Sequence, residues 1–413
     1  MYRVPPAGWG LPEAYDRPPL MAIGDGLLSG GGILPMTDAH ATCAMPTLLA
    51  GALADQEAAA RFRRARFPAP VLLDAEAVLA GFPDDILAAF ARHRQVDAAI
   101  VSTLRAWLAR FRAPAHGTEP VMADVLTFPG ADDTDIYEES ARGFEATAAA
   151  FGAFQESDPP HPLDWAVPFP PEAVPRTDAD GAPRPMAAFA DLHAAIAARH
   201  LLNPGNDPAL VSLRAIDQVA LRRPRLLLHS LGQGNGLPDI TLHGEPGRGL
   251  GRLARFAARW PERAEMLAAL PREVERVVIL LPPRPGGPRV YSASENVRIG
   301  EAFRGITANI ASATRAAFAR TPERLLLVDP TGAAEEPQRL AALIGAILPD
   351  MIDPSRLAAV GDLTPAPPPP LMARLLRAFE DPAGHQVGNG VLATLYARAE
   401  ATLLRLMTLP MRR

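Results

Sequence analysis

Lysine is missing from this chain; all 41 basic residues are arginine. That absence excludes Schiff-base chemistry, a phosphate-loop lysine and a Ser/Lys hydrolytic pair. Cysteine occurs once, as Cys43, so no intrachain disulfide and no cysteine-based metal site can form. No run reaches the ~18 continuous apolar residues of a membrane-spanning helix. Residues 1–10 lack the apolar core of a secretory signal. A cytoplasmic protein is the expectation. Positive charge is also short: the net charge of −5 argues against a nucleic-acid binder.

What remains is globular. Over 413 residues, 48% are apolar and 21% charged, which excludes wholesale disorder and leaves room for one large domain or two ordinary ones. The abundance of Ala, Arg and Pro reads as a bias of the source genome. Five short apolar runs stand out, at residues 20–24, 121–127, 225–231, 276–281 and 324–329. Each is continuous rather than alternating, as strands covered on both faces are. Ala-rich helical stretches at 74–111, 138–154, 186–202, 301–320 and 391–407 lie between or after them. This alternation predicts an α/β three-layer sandwich around a five-stranded parallel sheet. The predicted strand order is 2-1-3-4-5, the flavodoxin-like order, with the first two strands flanking a topological switch point.

Residues 155–185 are Pro-rich and read as an irregular insertion. Residues 362–370, DLTPAPPPP, read as a stiff connector. The roughly 40 residues beyond it are too few for an independent core, so a single domain over 1–413 is expected.

Ligands bind beyond the carboxyl ends of strands in an open parallel sheet. Three of those exits are glycine-rich: Gly24-Asp25-Gly26 after the first run, Pro129-Gly130 after the second, Gly232-Gln233-Gly234-Asn235-Gly236 after the third. A phosphate loop needs the missing lysine. A dinucleotide fingerprint needs glycine where Ser29 stands. No cofactor and no metal are therefore expected.

In this order the pieces resemble the GDSL, or SGNH, family of ester hydrolases. The resemblance runs from residue 20 to about 407. Met21-Ala-Ile-Gly-Asp25-Gly26-Leu27 is similar to the block that carries the nucleophile. Val125 to Ala131 is similar to the block whose glycine, here Gly130, lends a backbone N–H to an oxyanion hole. Leu231 to Asn235 is similar to the block whose Asn lends its side chain, and His385 stands where the family places its base.

The departures fall on the chemistry. The nucleophile position is Gly26, which has no hydroxyl. The oxyanion Asn position is Gly234, with Asn235 beside it. Three residues before His385 stands Pro382, and the nearest acid is Asp381. The resemblance thus implies a decayed hydrolase kept as a binding or scaffold subunit, with a protein partner or a small ester or acyl ligand. The alternative is an active hydrolase with a shifted nucleophile, Ser29, working with His385 and Asp381; Gly26, Gly130 and Asn235 would be its oxyanion donors and Asp25 a supporting acid. Plainer roles stand beside these. Asp25 reads as a turn or cap residue, Asn235 as a turn residue at positive φ, His229 as a satisfied core histidine. Residues 61–66, RFRRAR, read as a solvated helix face.

Overall fold

The computed structural model describes residues 17–28, 44–64, 122–128, 131–144, 198, 201–203, 208–232, 234–237, 240, 246–285, 291–332 and 337–361. The predicted segments 74–111, 155–185, 362–370 and 391–407 lie outside them, as do Ser29, Cys43, Gly130, Asp381 and His385.

Five strands form one all-parallel sheet: β1 (Leu20–Gly24), β2 (Val125–Thr127), β3 (Leu226–Ser230), β4 (Arg276–Leu280) and β5 (Leu325–Val328). Their spatial order is β2-β1-β3-β4-β5, as expected, and the fold is α/β. Ala22 faces Val125 on one side and Leu228 on the other. All residues of β1, β2 and β3 are buried, which is why these runs are apolar apart from Thr127, His229 and Ser230 at their carboxyl ends. The switch point differs from the expectation. The chain leaves β1 for β2 on one side and returns to β3 on the other, so the order reverses between β1 and β3.

The helices with described bounds are α1 (Met45–Gly51), α2 (Gln56–Arg61), α3 (Asp133–Tyr137), α4 (Ala215–Arg222), α5 (Pro246–Ala268), α6 (Ala293–Ala317), α7 (Pro337–Ile347) and α8 (Pro354–Gly361). α5 buries Leu253, Phe256, Trp260, Ala264 and Leu267 at three- and four-residue spacing. Trp260 donates from Nε1 to Thr314 Oγ1 of α6 at 2.8 Å, tying the two long helices together.

Several boundaries moved for local reasons. β2 starts four residues late, because Asp124 turns its carboxylate to the buried Arg222 guanidinium and to the Arg63 N–H. β5 starts after Arg324, which belongs to a 3-10 turn. Its guanidinium donates to the carbonyls of Val274, Leu270 and Pro271 and so caps the chain leaving α5. α6 starts at residue 293 rather than 301, since Ser292 and Glu295 form a capping box there. The described part of the arginine run, residues 61–64, is not a helix face: α2 ends at Arg61, and residues 62–64 are irregular.

Candidate functional site at the strand exits

The turn after β1 is pinned to the end of β3. Gly24 has φ +136°, and a Cβ there would stand 2.4 Å from Ser230 Oγ and 2.6 Å from Ser230 O. Only glycine combines that backbone with so close an approach. The next residue, Asp25, donates its backbone N–H to Ser230 Oγ at 2.9 Å. Its carboxylate accepts from Leu27 N at 3.2 Å, the turn role expected of it. Gly26 is buried inside this turn.

The exit of β2 leads into α3, whose N-cap Asp132 forms a capping box with Asp135. This places Asp133, buried, above the sheet end. Its Oδ1 accepts from Asn235 Nδ2 at 2.8 Å and from Arg259 Nη2 at 2.7 Å. Arg263 Nε lies 3.7 Å from Oδ2, and Arg263 also pairs with Glu138. Burial, and then the neighbouring Asp132 charge, raise the Asp133 carboxyl above its usual range. Arg259, the Asn235 hydrogen bond and Arg263 pull against that rise.

Asn235 therefore differs from the expectation. It lies in a turn, as expected, but not at positive φ; that backbone belongs to Gly232 (+87°) and Gly236 (+126°) around it. The two glycines turn the chain, which frees the Asn235 side chain to reach Asp133.

His229 lies one residue before the end of β3 and is fully buried. Its Nδ1 is 2.8 Å from Ser230 O, which can only accept, so Nδ1 carries the proton. Nε2 then accepts from Tyr137 Oη at 2.5 Å. Trp260 packs edge-on against both rings, and the Arg263 guanidinium sits 5.3 Å from the Tyr137 ring centroid. Burial pushes the His229 pKa down to about 3, so the imidazole is neutral at pH 7. Both nitrogens are occupied, and the ring is a satisfied core histidine, as its place in an apolar strand suggested.

Of the candidate site residues, Gly26 and Asn235 lie beyond the same end of neighbouring parallel strands, and Asp25 is anchored to Ser230 between them. Sequence reasoning missed Asp133, Tyr137, Arg259 and Arg263. The acidic run 132–135 opening a helix, and the arginines spaced along residues 248–263, were the available signals.

Among the described residues no group of three or more His, Cys, Asp or Glu is placed to hold a metal ion. No helix among them is long and apolar enough to cross a membrane. Comparison with protein-family models, curated proteins and solved structures returned no match for this chain.

Proposed function

We propose that this chain is an SGNH-type ester-hydrolase scaffold that has lost its hydrolytic centre and acts in the cytoplasm as a binding or scaffold subunit. The observation that carries the reading is Gly26. It lies buried in the turn directly beyond β1, two residues past the strand's last glycine, where the resemblance calls for the attacking serine. Glycine supplies no hydroxyl, so an acyl-enzyme cannot form at that position. The strand order and the pinning of this turn to Ser230 support the scaffold part of the reading. The neutral, doubly bonded His229 supports its silence at the described strand ends, because that ring has no lone pair left for a base.

The test is labelling of the purified protein with a fluorophosphonate probe, beside Ser29→Ala. No label on either form is the expected result. A label on wild type that Ser29→Ala abolishes would overturn the proposal in favour of an active hydrolase built on Ser29, His385 and Asp381.

A further inference from the structure

α7 has two faces, and the fold accounts for one of them. The inner face carries Leu340, Ala341, Ile344 and Gly345, all buried, and packs against α1 and α8. Gly345 shows how close that contact is. A Cβ there would stand 2.8 Å from Leu357 Cδ2 of α8 and 3.1 Å from Ile352 Cγ2. The outer face carries Arg339, Ala342, Leu343, Ala346 and Ile347, all exposed. Leu343 is 40% exposed and Ile347 41%.

That outer face departs from the rule for surface helices, whose water-facing side is polar. α6 obeys the rule, with Glu301, Arg304, Asn309, Ser312 and Arg315 among its exposed positions. α7 has no polar side chain from Leu340 to Ile347. Among the described residues the exposed large apolar side chains are Val297, Leu343 and Ile347, and two of these lie one turn apart on α7. A single apolar residue in water needs no explanation; a contiguous helix face marks an interaction surface.

The pattern along the face says what fits it. Arg339, Leu343 and Ala346 are spaced by four and then three residues, the spacing of a seam along which two helices pack at a shallow angle. Leu343 and Ala346 lie equally far on either side of the point midway between Ile344 and Gly345. A second α7 laid antiparallel across that point sets Leu343 of each copy against Ala346 of the other, a large side chain against a small one at both places. Ala342 and Ile347 flank the seam. The ends match as well. Antiparallel packing brings Arg339 of each copy to the C-terminal end of the other copy's helix. There the carbonyl dipoles are negative, and Asp350 stands exposed in the turn just beyond. A parallel pair would set Arg339 against Arg339. Neither charge has to be unengaged for this. Asp350 also pairs with Arg276 at 3.4 Å, and a carboxylate accepts from more than one donor, as a guanidinium donates to more than one acceptor.

We infer that the exposed face of α7 is the contact between two copies of this chain, related by a two-fold axis that passes midway between Ile344 and Gly345. The patch is then self-complementary, as an interface between identical subunits across a two-fold axis is. One helix face falls short of the ~1,600 Å² buried in a standard interface, so the dimer is a weak one, with a dissociation constant of about 10–100 µM. The inference goes beyond the scaffold reading and does not rest on it, since no residue of the strand exits takes part.

The experiment is sedimentation equilibrium of the full chain from about 5 µM to about 500 µM, on wild type, Leu343→Glu, Ile347→Glu, Arg339→Glu and Val297→Glu. Val297, exposed and apolar like the seam residues but on α6, serves as the control. Wild type and Val297→Glu pass from monomer to dimer over this range. Leu343→Glu and Ile347→Glu each weaken association about tenfold or more, because a carboxylate is driven into an apolar seam. Arg339→Glu weakens it severalfold at low ionic strength, and that difference fades at about 1 M salt, where the Debye length is about 3 Å. The thermal midpoint of each variant checks its folding, and Ile347→Glu keeps the test decisive if Leu343→Glu does not fold. A wild type that stays monomeric throughout, or association that both seam variants leave unchanged, overturns the inference. A monomeric wild type together with a lowered midpoint in Leu343→Glu would assign the face to another part of the same chain. The fluorophosphonate result reads separately: a serine-dependent label would sink silence and leave the dimer standing, and no label with no association would do the reverse.

Discussion

Tyr137 Oη stands 2.5 Å from Nε2 of His229, and this one buried hydrogen bond joins the helix after β2 to the end of β3. Removing the hydroxyl leaves a buried acceptor with no donor. Tyr137→Phe should therefore destabilise the fold by about 1–3 kcal/mol, measured by urea unfolding at pH 7. An unchanged midpoint would show that the bond contributes nothing net.

The same histidine predicts a pH dependence. The folded-state pKa is depressed to about 3 from an ordinary 6.5, so the unfolded chain binds the proton first as pH falls. The stabilisation is present above pH 6.5 and is lost progressively between that pH and about 3. By pH 5 the loss amounts to roughly 2 kcal/mol. Comparison of wild type with His229→Gln at pH 7 and pH 5 isolates this contribution. The variant is weaker at pH 7 and its stability falls less steeply on acidification; equal slopes would refute the assignment.

Gly24→Ala should be far more damaging than a typical turn substitution, costing on the order of 3 kcal/mol or more, because a positive φ and a collision coincide. Adding Ser230→Ala removes the Oγ contact but leaves the backbone O at 2.6 Å. The double variant therefore stays unstable. Recovery of the thermal midpoint in it would show that the side chain alone sets the close approach.

Asp133→Ala should cost about 1–3 kcal/mol, because it leaves Asn235 Nδ2 and the half-buried Arg259 without their shared acceptor while Arg263 keeps Glu138. Asp133→Asn should cost less, since it keeps an acceptor for both Arg259 and Asn235. Chemical denaturation of the two variants side by side decides the order, and equal losses would mean that the charge, which neither variant keeps, holds the cluster rather than volume or the acceptor.

Gly26→Ser alone should not create an efficient esterase. Gly234 stands where the resemblance calls for an oxyanion Asn, and one missing donor costs roughly 10²–10³ in rate. Asn235 is already committed to Asp133. Turnover of a p-nitrophenyl ester on the order of 1–10³ s⁻¹ would show that the rest of the site is intact.

Much of the sheet was legible because its signal is one-dimensional. A strand buried on both faces is apolar along most of its length, and LMAIG and VVIL announce themselves in any context. Among the described helices that went unread, α5 is the longest. Pro261, and the glycines at 247, 249 and 251, make it a poor helix by local propensity. Its apolar stripe of Leu253, Phe256, Trp260, Ala264 and Leu267, packed into the core, outweighs them.

The site divides along the same line. The sequence by itself determined that residue 26 has no hydroxyl, that no lysine serves any chemistry here, and that glycines mark the strand exits. Those are properties of single residues and need no partner. Tertiary structure alone decided that Asp133 meets Asn235 across 102 positions of chain and Arg259 across 126. It also decided that His229 meets Tyr137 rather than a substrate. Such pairs depend on which strands become neighbours. The parallel order β2-β1-β3 brings residues far apart in sequence to one end of the sheet, and burial there converts ordinary side chains into a neutral histidine and a carboxylate held between two arginines.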